Sequence, residues 1–63
     1  MNKCQAILKA YEPGDRIYLK SIGSSGLAGT INKIEDCCLE MIAEDGRLYR
    51  FNSLYIIYIC EAP

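Results

Sequence analysis

From residue 16 onward, apolar and polar positions alternate with a period near two, the mark of strands with one buried face. In Arg16–Lys20, Ile17 and Leu19 point one way and Tyr18 the other, which predicts a first strand. Leu27 to Glu35 predicts a second, with apolar Leu27, Ile31 and Ile34. Strict alternation fails once there, and a bulge near Asn32 or Lys33 would return both isoleucines to the core face. Gly29 inside that strand marks a place where the backbone bends or is closely approached. Cys37 to Ala43 predicts a third strand, with Cys37, Leu39 and Met41 on one face and Cys38, Glu40 and Ile42 on the other.

Glu44-Asp45-Gly46 is a hairpin signal, because Asp-Gly suits a turn that needs positive φ. The fourth predicted strand, Arg47 to Phe51, sets Leu48 and Arg50 against Tyr49 and Phe51. After a corner at Asn52-Ser53 comes a fifth, Leu54 to Cys60. Tyr55, Ile57 and Ile59 take one face and Ile56 and Tyr58 the other, so this strand is apolar on both sides.

Ahead of the strands the period changes. Cys4, Ile7, Leu8 and Tyr11 follow the i, i+3, i+4, i+7 spacing of a helical face, and Asn2 suits the cap. A short strand at Ala6–Leu8 is the competing reading. Glu12-Pro13-Gly14-Asp15 closes this element, since Pro13 disfavours helix at Glu12 and Gly14 tolerates positive φ. Ser21–Gly26 is a loop. The pattern predicts one mainly β domain over residues 1–63: an N-terminal helix and turn at 1–12, then a five-stranded, strongly bent antiparallel barrel at 16–60.

Size then changes the picture. A chain of 63 residues buries only about 60% of the surface it exposes when unfolded, and such folds usually need disulfides, a metal or association. Hydrophobic residues make up 51% of the chain, which favours association. If strands four and five are outer strands, Tyr49, Phe51, Ile56 and Tyr58 leave an apolar patch beside unpaired backbone groups, and such an edge invites pairing. Pairing strand four of one copy with strand five of the next, repeated head to tail, closes a ring when the rotation allows. The alternative is that the N-terminal helix covers those residues within one chain.

The formal net charge is −1, with a pI near 5.2, which argues against broad duplex-DNA binding. There is no histidine, so the commonest general base and transition-metal ligand is missing. The four cysteines include no C-x-x-C pair, and Cys37 and Cys38 leave a strand on opposite faces, so no metal or cofactor is expected. Cys37 reads as a small buried hydrophobe; a Cys4–Cys60 disulfide is a minor alternative. The start of the chain has no secretory pattern and no stretch approaches a membrane span, so a cytoplasmic protein with reduced cysteines is expected.

The strand order together with Ile17-Tyr18-Leu19, Gly29, Glu35 and the aromatic-basic-polar corner Tyr49-Arg50-Phe51-Asn52 resembles the Sm-like (LSm/Hfq-like) family over residues 16–59. The resemblance implies an SH3-like barrel, rings of five to seven copies joined through strands four and five, and binding of single-stranded RNA. It departs from the family pattern where Cys37 stands in place of a base-stacking aromatic and Cys38 or Leu39 in place of a base-reading asparagine. Stacking on an aromatic contributes roughly 1–3 kcal/mol per base, so that site is weakened.

The RNA-binding candidates are Asn32, Glu35, Arg50 and Asn52; the oligomer-interface candidates are Tyr49, Phe51, Ile56 and Tyr58. Lys20, Lys33, Arg47 and Arg50 are either a basic rim repeated around a ring or scattered solvated charges. Glu35 and Asp36 diverge as strand neighbours and no nucleophile accompanies them, so an enzyme is not expected. Two functions stay open: an RNA-binding ring, or a structural or protein-interaction oligomer without nucleic-acid binding.

Overall fold

A computed structural model describes residues 9–62. It is mainly β, with strands β1 (Arg16–Ser21), β2 (Leu27–Glu35), β3 (Cys38–Ala43), β4 (Leu48–Asn52) and β5 (Ile56–Glu61), and a single 3₁₀ turn at Ser53–Tyr55. All pairings are antiparallel in one five-stranded sheet of order β4-β3-β2-β1-β5. β2 thus lies at the centre and β4 at one edge, while β5 crosses back to pair with β1 as the other edge. Among the described residues no helix is long and apolar enough to cross a membrane.

Alternation dictates the core. Ile17, Leu19, Ile31, Leu39 and Met41 are buried together, and Tyr11, Leu27, Ile34, Phe51, Ile56 and Ile59 pack around them. Each fully buried side chain of this kind contributes about 1.5–3 kcal/mol by leaving water. The bulge in β2 lies where the broken alternation puts it: register shifts between Ile31 and Lys33, so that Ile31 faces Met41 and Ile34 faces Leu39. Gly29 is buried between Ile17 and Ala43. A Cβ there would run into the carbonyl oxygen of Ile42 and lie 2.8 Å from Ala43 Cα. The β3–β4 loop carries its left-handed residue at Gly46, whose amide donates to the Ala43 carbonyl at 2.9 Å.

The ends of elements differ from the sequence reading. The third strand starts at Cys38 because Asp36 and Cys37 form the tight turn, with Asp36 at φ +51°. Asp tolerates that region better than most side chains. Leu54 and Tyr55 belong to the 3₁₀ turn, which the Asn52 side chain caps by accepting from Leu54 N at 2.9 Å. β5 contains a second irregularity: Ser21 pairs Ile56 and Lys20 pairs Tyr58, leaving Ile57 extra. Ile56 and Ile59 therefore share the core face, and the expected grouping of Ile57 with Ile59 is corrected.

The expected N-terminal helix and its rival strand at 6–8 fall almost wholly on residues 1–8, outside the described residues; Lys9 and Ala10 lie in a turn and Tyr11 and Glu12 are not helical. Tyr11 packs on the core, and its phenol donates to the Ile59 carbonyl at 3.4 Å. Cys37 is half-buried and disulfide-bonded, so reading it as a reduced, buried hydrophobe is corrected: its turn position keeps it out of the core. Cys38 and Cys60 are free, so a Cys4–Cys60 disulfide is not formed.

Candidate ligand-binding recess

The register that builds the core also builds the opposite face of β2, β3 and β4. With the loop centred on Asp45, Glu40 falls opposite Arg50 and Cys38 opposite Asn52. The bulge in β2 sets Lys33 opposite Glu40 and Glu35 opposite Cys38. The β2–β3 turn is tied to the 3₁₀ corner by Ser53 N donating to the Cys37 carbonyl at 2.8 Å. Between them lies an open recess of ≈ 350 Å³ lined by Lys33, Glu35, Asp36, Cys37, Cys38, Glu40, Arg50 and Asn52.

Three of the four sequence candidates, Glu35, Arg50 and Asn52, line this recess. The fourth, Asn32, is one contact away: its amide donates to Glu40 Oε2 at 2.8 Å. Glu40 also accepts from Arg50 Nε at 3.2 Å. The side chain of Glu40 is only 12% exposed, whereas that of Arg50 is 74% exposed. The Asn32 and Arg50 hydrogen bonds hold the Glu40 carboxyl below the ordinary glutamate range, Asn32 being the larger cause.

Sequence reasoning missed Glu40 as a site residue. The signal was present, because residues equidistant from the Asp45 turn must face each other, and 40 and 50 carry opposite charges. Lys33 pairs Glu35 at 3.1 Å, both well exposed. Of the four cations read as a possible rim, Lys33 and Arg50 line the recess and Lys20 and Arg47 do not. The loop beside β4 is fixed separately: Asp45 accepts from Arg47 N and from the Tyr49 phenol, each at 2.8 Å. The Arg47 amide, more than Tyr49, holds the Asp45 carboxyl low.

The interface candidates divide. Phe51 and Ile56 are partly buried against the core. Tyr49 is half-buried and stacks on Phe51, with ring centroids 6.3 Å apart. Tyr58 is exposed and meets Tyr18 edge-on at 6.3 Å. The large apolar side chains left in water at this end are Leu54, Tyr55, Ile57 and Tyr58, joined by Ile22, whose amide donates to the Tyr55 carbonyl at 2.8 Å. Among the described residues, no group of three or more Cys, Asp or Glu is arranged to hold a metal ion. No family model, curated protein or solved structure matches the chain.

Proposed function

We propose that this is an Sm-like protein whose bent sheet closes as an SH3-like barrel, which assembles into a ring and binds single-stranded RNA at the recess between the β2–β3 turn and the β4 corner. The observation that carries the reading is the gathering of Glu35 from β2 with Arg50 and Asn52 from β4 around one recess, with Asn32 supporting it through Glu40. Arg50 is anchored through Nε while most of its side chain stays in solvent, which suits a phosphate contact. Assembly is supported by strand order: β4 and β5 are the sheet's two edges, and each can pair with the other edge of a second copy. No catalytic role is assigned. A cytoplasmic site of action accompanies this ligand class.

The second reading, an oligomeric protein-interaction module, is favoured by the matched charges of the recess, where Glu35 and Glu40 engage Lys33 and Arg50. No aromatic side chain lines the recess to stack a base. Fluorescence anisotropy at low salt with labelled oligo-U, oligo-A and a uridine-rich octamer carrying one guanosine separates the two. Binding well below 100 μM that Arg50→Ala weakens supports the RNA reading; no binding below about 100 μM, weaker than nonspecific nucleic-acid affinity, leaves the interaction module.

A further inference from the structure

We infer that the recess reads the Watson–Crick edge of a guanine, with Asp36 as acceptor, Asn52 as donor and Arg50 on the adjoining phosphate; this rests on the single-stranded RNA reading above. Which groups of the recess are already occupied decides the matter. Lys33 is paired with Glu35 and Glu40 is filled by Asn32 and Arg50. Among the described residues, the Asp36 carboxylate has no hydrogen-bond or ion-pair partner, and it lines the recess. The Asn52 carbonyl oxygen is used by Leu54 N, so its amide NH₂ is the part left to a ligand. Arg50 has spent Nε on Glu40 and keeps its other donors in an exposed side chain.

The recess therefore offers one unpaired carboxylate, one amide donor and one anchored guanidinium fork. A carboxylate facing a base needs adjacent N–H donors. Guanine supplies two, N1–H and the 2-amino group, beside an O6 acceptor for the Asn52 amide. Adenine sets an unprotonated N1 against the carboxylate, cytosine an unprotonated N3, and uracil offers one N–H between two carbonyls. Each mismatch sets an acceptor against the Asp36 carboxylate and leaves it without a partner, which is how a polar site discriminates.

Anisotropy with a labelled uridine-rich octamer carrying one central guanosine, inosine, adenosine or uridine provides the test, inosine lacking only the 2-amino group. The guanosine octamer should bind at least about tenfold more tightly than the adenosine one, the range of a bidentate base contact, and inosine should fall below guanosine. Asp36→Asn, which keeps a residue at ease with positive φ, should bring guanosine down to the adenosine level. Asn52→Asp, which keeps the cap oxygen and removes the donor, should also abolish the preference. Equal affinities for guanosine, inosine and adenosine on the unaltered protein would overturn the inference and leave RNA binding standing, as would a preference that survives Asp36→Asn. Failure of every octamer to bind would remove the RNA reading itself and this inference with it.

Discussion

In β1 and β3 buried and exposed side chains alternate, so that Ile17, Leu19, Leu39, Met41 and Ala43 are all inside. From Leu48 to Tyr58 burial weakens: β4 still alternates, but Tyr49 and Phe51 are only half-buried, and Leu48, Leu54, Tyr55, Ile57 and Tyr58 are all exposed although all are large and apolar. One chain of this size can bury one face of its sheet; the first three strands supply its fully buried apolar side chains, and Phe51, Ile56 and Ile59 pack against them only in part. The difference shows two demands on the same composition. Residues 16–43 supply the buried core, whereas 48–60 lend it Phe51, Ile56 and Ile59 and carry further apolar surface that it does not use.

Breaking the inner half should have the largest effect. Leu39→Ala removes a side chain with no exposure and should cost about 2–5 kcal/mol, enough to unfold most of so small a domain at 25 °C, read by circular dichroism in urea. Gly29→Ala should come next, at about 1–3 kcal/mol of overpacking against the β3 backbone, seen as a lower urea midpoint with an unchanged slope. If Gly29→Ala were silent, the close approach of Ile42 and Ala43 would not constrain β2.

Acid should probe the polar face. Hydrogen bonds lower the carboxyls of Glu40 and Asp45, so each favours folding while ionised. That contribution is present above the unfolded values, about 4.3 for Glu and 3.9 for Asp, and is lost as pH falls through the lower folded values. The thermal midpoint should therefore drop on acidification from pH 5 toward 3, and Glu40→Gln should flatten part of that drop. The smallest change is expected at Ser53, whose buried hydroxyl has no hydrogen-bond partner among the described residues. Ser53→Ala should be neutral or stabilising by up to about 1 kcal/mol, since an unpaired buried hydroxyl is itself costly.

Legibility followed the same division. Strand phase was readable wherever a polar residue separated apolar ones: Arg16–Lys20 and Leu39–Ala43 fix their own faces, and the single break in β2 locates its bulge. Ile56-Ile57-Tyr58-Ile59 gives no such phase, because both faces read alike, and only pairing with β1 reveals that Ile57 is the extra residue. The 3₁₀ turn at Ser53–Tyr55 was hidden for the same reason, Leu54 and Tyr55 being good strand residues. In the recess, Arg50 and Asn52 were visible as a polar corner in an apolar run. Glu40 could be read only by carrying the Asp45-Gly46 turn through to the pairing of 40 with 50, and Asp36 lies in a turn whose ends only the structure fixes.

The apolar surface of 48–60 is the central claim, and light scattering coupled to size exclusion at micromolar concentration tests it most directly. Assembly through the β4 and β5 edges predicts a species five to seven times the 7.1 kDa of one chain. The double change Ile57→Ser with Tyr58→Ser should shift it toward the single chain while circular dichroism stays that of the folded sheet. An unaltered protein that elutes and scatters as one 7.1 kDa chain would contradict the account.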